Sequence, residues 1–109
     1  ESMAAFLVFT TAPSKPAARK IAQTILRKLL AACVHIAPLG ESHYWWKGRL
    51  EKAGETALTC KTTRKALPFL LRMLKKVHPY ETPEILATRV ERGDPDYLRW
   101  MSGETKTKP

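Results

Sequence analysis

Residues 1–109 are predicted to form one α+β domain, with elements in the order β-α-β-β-α-β and a short helix at the C-terminal end. Two observations predict this order. Two segments have apolar residues at helical spacing, and short runs rich in β-branched and aromatic residues flank and separate them. In the ferredoxin-like fold, which has the same order, both crossover helices cover one face of a four-stranded antiparallel sheet.

The first strand is predicted at residues 6–10, a short apolar run that stops at Ala12-Pro13-Ser14. Ser14 is a favourable N-cap because its hydroxyl can accept a hydrogen bond from a free backbone N–H of the first helical turn. Apolar residues then recur at helical spacing over residues 16–30, with basic and amide side chains on the opposite side. This pattern predicts the first amphipathic helix.

The second strand is predicted to begin at Cys33 and to be interrupted at residues 38–40. The proline and glycine there indicate a bulge or bend rather than a regular edge. The strand resumes at residues 42–46, where aromatic side chains favour β structure.

Lys47-Gly48 predicts a reversal of the chain into residues 49–51. Residues 52–55 are polar and are predicted as a loop. The third strand is predicted at residues 56–63, which are rich in threonine.

The second helix follows the i, i+3, i+4, i+7 pattern, with apolar residues at Leu67, Leu70, Leu71, Leu74 and Val77. Pro68 fits only in the first turn, so the helix is predicted to begin near Lys65 or Ala66. It should end at or before His78, because Pro79 disfavours α geometry in the residue that precedes it.

The last strand is predicted at residues 84–92. Asp94 then caps, and Pro95 opens, a short C-terminal helix. Residues 102–109 are polar and are predicted as a frayed tail, so the ordered core should span about residues 5–101.

One face of the predicted sheet has no cover, since a single short C-terminal helix is too small to supply it. Tyr44, Trp45 and Trp46 extend the second strand beyond the length that the other strands can match. Exposed apolar sheet and aromatic side chains usually mark an interface. We therefore predict an oligomer.

The composition of the chain bears on its cellular compartment and on the oxidation state of its cysteines. No apolar run approaches the roughly 18 residues that a membrane-spanning helix needs, and no signal peptide is visible. A cytoplasmic protein is expected, with an organelle after removal of a leader left open. Cys33 and Cys60 lack C-x-x-C spacing and are predicted to be two buried free thiols, because a disulfide would be unusual in a reducing compartment.

The net charge of +9 is concentrated on the two longer helical segments. The basic residues are Lys15, Arg19, Lys20, Arg27 and Lys28 in the first, and Arg64, Lys65, Arg72, Lys75 and Lys76 in the second. Such a face can attract nucleic acid, anionic lipid or an acidic partner, or it can simply be solvated. Nucleic acid is disfavoured as the partner because the third strand has no aromatic residue on which bases could stack.

The segment from His78 to Glu84 carries a histidine, a phenol, two carboxylates and two prolines. The prolines predict a stiff, extended connector, which could hold a binding site or simply join a helix to a strand. No serine-histidine-acid arrangement, Gly-rich phosphate loop or paired-carboxylate motif is present in the sequence, so we predict that the protein is not an enzyme.

Two further histidines are possible metal donors. In perfect hairpin register His35 and Cys60 would lie opposite each other on one face, but the interruption at residues 38–40 makes that register unreliable. Packing of both residues in the core is therefore favoured over a metal site formed by this pair. His43 has no donor neighbour and is predicted to be a surface residue.

Blocks in a fixed order along residues 6–100 resemble the CutA divalent-cation-tolerance proteins. These blocks are Thr11-Ala12-Pro13, Leu30-Ala31-Ala32-Cys33-Val34, Tyr44-x-Trp46-x-Gly48, Lys61-Thr62-Thr63, His78-Pro79-Tyr80-Glu81-x-Pro83-Glu84 and Gly93-Asp94-x-x-Tyr97-Leu98-x-Trp100. The resemblance implies a ferredoxin-like protomer in a tight homotrimer, with the long second and third strands reaching neighbouring protomers. It also implies a role linked to copper and other divalent metals, and an architecture similar to that of the PII signalling proteins.

The chain departs from the copper-ligand pattern of some family members, which use a cysteine before Thr-Ala-Pro and a His-His pair before Pro-Tyr. Thr10 and Thr11 precede Ala12-Pro13 here, and Val77 takes the place of the first histidine. Only His78 carries over as a metal donor. One imidazole cannot form a selective site without further donors, which neighbouring protomers could supply.

The predicted interface pocket consists of Trp46, Lys61, His78, Tyr80 and Glu81. Within it Trp46 would supply packing, Lys61 and Glu81 would fix charge, and His78 would be the single donor. The predicted function is divalent metal binding, tolerance or response by a homotrimer, with copper or another cation bound weakly and no obligatory cofactor. The alternative is a trimeric scaffold or small-ligand sensor that presents its basic helical face to an unknown protein or RNA partner, with metal binding incidental.

Overall fold

The computed structural model describes residues 4–106 of the chain. Its elements are β1 (Ala5–Ala12), α1 (Lys15–Arg27), β2 (Cys33–Trp46), β3 (Arg49–Thr63), α2 (Leu67–Val77), β4 (Leu86–Val90) and α3 (Pro95–Glu104). This order confirms the predicted β-α-β-β-α-β arrangement with a terminal helix.

The four strands form one sheet in the order β2-β3-β1-β4, and every neighbouring pair is antiparallel. Because successive side chains of a strand point to opposite faces, alternate residues of β1 and β3 meet the helices. Val8, Leu58 and Cys60 on that face pack with residues of α1 and α2, and the buried helical members of this core include Ala18, Ile21, Ile25, Leu70 and Leu74. The core therefore lies between the sheet and the two longer helices.

Helix α1 begins as the sequence predicts and ends earlier. The Ser14 hydroxyl accepts a hydrogen bond from the Ala17 N–H at 3.2 Å, which confirms the N-cap. The helix stops at Arg27 rather than at residue 30, because Leu29 has a φ of 59° and the Leu30 N–H turns back to the Ile25 carbonyl. The apolar pattern could not mark this end, since Leu30 is still buried in the core.

The β2–β3 hairpin is longer and more regular than predicted. Lys47 and Gly48 both have positive φ, at 51° and 78°, which is the geometry of a two-residue hairpin turn that matches strand twist. The predicted loop at residues 52–55 is wrong, because these residues pair with Gly40–His43 in a continuous ladder. Backbone pairing alone sustains the ladder there, so the polar side chains do not interrupt it.

The predicted irregularity in β2 is confirmed as a shift of the register between Ala37 and Gly40. The shift moves each pairing by one residue, so His35 lies opposite Thr59 and Val34 lies opposite Cys60. A His35–Cys60 metal pair is therefore excluded, because a one-residue slip puts the two side chains on opposite faces of the sheet. The core packing predicted for this pair is found for Cys60 alone, since His35 is exposed.

Cys33 and Cys60 are free thiols, and their side chains also lie on opposite faces of the sheet. Cys60 is fully buried against the helices, whereas Cys33 is only partly buried, so the prediction of two buried thiols holds for Cys60 alone. Burial raises the pKa of the Cys60 thiol to about 12, and the nearby Cys33 adds to this shift. Cys60 therefore stays protonated at neutral pH and is unreactive.

The elements after β3 differ from prediction mainly at their ends. Helix α2 begins at Leu67 with Pro68 in its first turn, and β4 covers only part of the predicted residues 84–92. Helix α3 continues through Glu104, Thr105 is buried, and the Lys106 N–H donates to the Leu29 carbonyl at 2.8 Å. The ordered part thus extends beyond the predicted end at residue 101, because the chain docks against the end of α1. Residues 107–109 of the predicted tail lie outside the described residues.

The sheet face opposite α1 and α2 is largely uncovered, as predicted. Leu86, which pairs with Phe9 on this face, is exposed. Beyond the bulge the hairpin exposes Leu39, Trp45 and Leu50 to 77%, 72% and 66% of their surface. No helix within residues 4–106 is long and apolar enough to cross a membrane.

Candidate functional site

A cleft of about 820 Å³ lies between the end of β1, the hairpin and the connector that follows α2. Its walls are Thr11, Ser42, His43, Tyr44, Trp46, Glu55, Pro79, Tyr80, Glu81, Thr82 and Glu84. We call it the acidic cleft, because three carboxylates and one imidazole line it without a lysine or arginine. On a chain of net charge +9, this is a local reversal of charge.

Glu55 is the centre of the hydrogen bonds in the acidic cleft. One of its carboxylate oxygens, Oε2, accepts from the Tyr80 hydroxyl at 2.9 Å and from the Thr11 hydroxyl at 3.1 Å. Burial raises the pKa of Tyr80 to about 12, and the hydrogen bond to Glu55 and its charge add to the shift. The phenol therefore remains a donor at neutral pH, and it ties the connector to the hairpin.

His78 lies behind the acidic cleft, is buried, and uses both ring nitrogens within the chain. Nε2 is 2.6 Å from the Thr11 carbonyl, which can only accept, so Nε2 carries the proton. Nδ1 is 3.1 Å from the Tyr80 N–H, which can only donate, so Nδ1 is the acceptor. These two partners fix one neutral tautomer and anchor the connector to β1.

Comparison with known proteins identifies the family to which this fold belongs. The CutA1 divalent ion tolerance protein family matches residues 6–104. The chain belongs to the CutA1 family. Protein CutA of Mus musculus is 39% identical over 99 residues, which cover 91% of this chain and 56% of the mouse protein. The chain thus spans little more than half the length of that relative.

Solved structures of the CutA1 family share the whole fold. CutA1 from Oryza sativa superposes with a TM-score of 0.92 at 35% identity, covering 96% of each chain. The periplasmic divalent cation tolerance protein CutA from Archaeoglobus fulgidus superposes with a TM-score of 0.89 at 36% identity, covering 94% of this chain and 99% of that one. The resemblance inferred from the sequence blocks is confirmed.

The structure brings together only part of the predicted pocket. Trp46, Tyr80 and Glu81 line the acidic cleft, and His78 lies directly behind it. Lys61 is elsewhere, where its ammonium donates to the Tyr97 hydroxyl of α3 at 3.2 Å, and this hydrogen bond raises the pKa of Lys61. Within one CutA1 chain, Lys61 does not contribute charge to the cleft.

Sequence reasoning missed Thr11, Glu55 and Glu84 as site residues. Glu55 was placed in a loop, and its role follows only from the fold, in which the connector and the end of β1 bring Tyr80 and Thr11 to its carboxylate. The Tyr44-x-Trp46 block gave a usable signal, because it marks the wall of the hairpin that faces the connector. His43 is exposed as predicted, but it lines the cleft and contacts the Glu41 carboxylate at 3.3 Å, so it does have an acidic neighbour.

The fit of one chain to a metal ion is poor. Among residues 4–106, no three His, Cys, Asp or Glu side chains are placed to hold a metal ion together. His78 has no nitrogen lone pair to offer while the Tyr80 N–H contact persists. A CutA1 protomer by itself therefore presents separate oxygen donors in an acidic cleft rather than a preformed metal centre.

Proposed function

We propose that this CutA1-family protein acts in the tolerance or response to divalent cations, as a homotrimer whose acidic clefts bind copper or another cation weakly. The observation that carries the proposal is the charge of the cleft. Glu55, Glu81 and Glu84 with His43 line it without a lysine or arginine on a chain of net charge +9, although the Lys75 ammonium lies beside it and donates to the Glu81 backbone carbonyl at 3.1 Å. Such a concentration of carboxylates attracts cations, and their oxygens are ligands for hard divalent ions.

The trimer completes the proposal because one chain lacks a full ligand set. The exposed hairpin residues and the uncovered sheet face provide apolar surface for association. Copper favours nitrogen and sulfur donors, so selectivity for copper would require donors from a second protomer beside His43. Affinity for copper should accordingly be greater in the assembled protein than in the separated chain.

Calorimetric titration with copper(II) tests the acidic cleft. We expect the Glu81→Gln/Glu84→Gln variant to bind copper at least fivefold more weakly than wild type. Glu91→Gln/Glu104→Gln is the matched control, since it removes two exposed carboxylates outside the cleft and should leave binding unchanged. Equal binding in all three proteins would contradict the proposal.

The contribution of His78 is measured in the same titration. His78→Ala should leave copper affinity within twofold of wild type if the imidazole keeps its two protein partners. A loss as large as that of the cleft variant, in a protein that thermal unfolding shows to be folded, would contradict this expectation and make copper binding dependent on His78. The two sets of variants thus separate a carboxylate site from a histidine site.

We further propose a non-enzymatic role in the cytoplasm. Both cysteines are free thiols, which is the usual state of cysteine in a reducing compartment. The relative from Archaeoglobus fulgidus is named periplasmic, so the compartment is to be tested by fractionation. Recovery with periplasmic or secreted markers would contradict this assignment.

A further inference from the structure

A second concave surface lies on the helical layer, between the C-terminal end of α1 and the middle of α2. This groove has a volume of about 610 Å³ and shares no residue with the acidic cleft. Its walls are Arg27, Lys28, Leu29, Leu30, Phe69, Arg72, Met73 and Lys76. We call it the basic groove.

The basic groove combines four cations with an apolar floor. Arg27, Lys28, Arg72 and Lys76 form no ion pair with a carboxylate anywhere in residues 4–106. The Arg72 guanidinium lies over the Phe69 ring at 4.8 Å, and a guanidinium stacked on an aromatic face can still donate hydrogen bonds from its N–H groups to a carboxylate. The positive charge of this surface therefore has no partner within the described chain.

The segment after α1 and helix α2 both contribute apolar side chains to the floor of the basic groove. Phe69 and Met73 are one turn apart on α2, and they face Leu29 and Leu30 at the end of α1. Leu29 occupies the left-handed region at a φ of 59°. This conformation costs a leucine roughly 1 kcal/mol of free energy, whereas a glycine adopts it without that cost. The backbone thus bears strain while a bulky apolar side chain is held in the groove.

We propose that the basic groove binds an acidic protein segment that carries bulky apolar side chains. Carboxylates of such a segment would pair with the arginines and lysines of the rim, and its apolar side chains would cover the floor. The groove is on the helical layer, opposite the uncovered sheet face, so it stays accessible if protomers associate through that face. The proposal does not depend on cation binding in the acidic cleft.

Charge and shape together favour a protein segment over two other anions. A membrane surface would require apolar side chains that project outward, whereas Phe69 and Met73 line a concavity and are partly buried. Single-stranded RNA would require open aromatic faces for stacking, whereas Arg72 already covers Phe69. A segment with both acidic and apolar side chains matches both parts of the groove.

Fluorescence anisotropy with a labelled synthetic peptide tests the proposal. The probe is a 14-residue peptide of four glutamates and three leucines among serines and glycines, and two control peptides replace the leucines by serine or the glutamates by glutamine. We expect saturable binding of the probe, with at least tenfold weaker binding of each control peptide. An absence of saturable binding to the probe would overturn the proposal.

Matched variants locate the binding surface. Arg72→Glu/Lys76→Glu should weaken binding of the probe at least tenfold. Arg19→Glu/Lys20→Glu changes the net charge by the same amount at exposed positions of α1 outside the groove, and it should change binding less than twofold. Equal loss in both variants would show a general charge effect and would overturn the proposal.

Additional measurements distinguish a loss of peptide binding from misfolding and from a failure of the copper proposal. Thermal unfolding is measured for each variant, and Arg72→Gln/Lys76→Gln replaces the charge reversal if that variant does not fold. Leu29→Asn tolerates the positive φ and should weaken probe binding several-fold by removing apolar floor. Binding of phosphatidylserine vesicles or single-stranded RNA in place of the peptide would overturn the proposal, while copper titration of the same variants should match wild type.

Discussion

His78 shows how the partners of one residue decide its chemistry. The sequence presents it as a metal donor, because the family blocks place it before Pro79-Tyr80. In the fold its Nε2–H donates to the Thr11 carbonyl, and its Nδ1 accepts from the Tyr80 N–H. Both nitrogens are occupied, and the side chain is buried. The stiff connector between the prolines is thereby fixed to β1, and this is a structural role.

Replacing His78 by alanine should lower the free energy of unfolding by about 2–3 kcal/mol. Two hydrogen bonds of about 1 kcal/mol each are lost, and a buried carbonyl or N–H is left without a partner. Urea denaturation at fixed protomer concentration measures this change. Thr82→Ala is the control, because Thr82 is an exposed residue of the same connector and should change stability by less than about 0.5 kcal/mol. Equal stability of the two variants would refute the anchoring role.

At the scale of elements, the β2–β3 hairpin differs most from its sequence prediction. Its distal half has polar residues that suggest a loop, yet β3 pairs with β2 from Arg49 to Lys61, because strand pairing is made by backbone groups. The bulge between Ala37 and Gly40 sets the register on either side. This register decides that His35 does not lie opposite Cys60.

Substitutions at the two turn residues of the hairpin should change the stability of the protein in opposite directions. Gly48→Ala should destabilise the protein by about 1 kcal/mol, because alanine is strained at a φ of 78° although no neighbouring atom blocks its Cβ. Lys47→Asn should be neutral or stabilising by a few tenths of a kcal/mol, since Asn-Gly is favoured in this turn. Urea denaturation of both variants at one protomer concentration gives the comparison. A stabilised Gly48→Ala protein would contradict the left-handed turn.

Considered as a whole, the molecule separates its charge and its apolar surface. The acidic cleft is formed by β1, the hairpin and the connector, whereas the basic groove is formed by the two longer helices. A third surface, the uncovered sheet face with the protruding hairpin, is apolar. These surfaces fit three different occupants, which we propose are cations, an acidic protein segment and further copies of the chain.

The hairpin should control assembly. Trp45 and Leu50 are paired across the strands and are both exposed, so a second copy can bury them together. Light scattering of the wild type should give about three times the 12.3 kDa mass of one chain, and Trp45→Ser should shift it towards the single-chain mass at micromolar concentration. Lys52→Ser, a polar change on the same hairpin, should leave the mass unchanged. A wild-type mass for Trp45→Ser would exclude this residue from the interface.

Local sequence patterns predict the order of the elements of this protein and its membership of the CutA1 family. The stripes of α1 and α2, the Ser14 and Asp94 caps and the Lys47-Gly48 turn depend on residues that are neighbours along the chain. Such local preferences can be read without knowledge of the fold. The uncovered sheet face also followed, because the element order leaves it without a helix.

Which side chains form the acidic cleft, and what His78 can do, depend on the tertiary structure. Thr11 and Glu55 are 44 residues apart, and His78 and Thr11 are 67 apart, so their contacts exist only once β1 has paired with β3 and the connector has packed against β1. The polar stretch at residues 52–55 gives no local sign of strand pairing, and this is why Glu55 was missed. Lys61 meets Tyr97 of α3 within one chain, because blocks of residues along a sequence do not show which of their side chains lie next to one another in the fold.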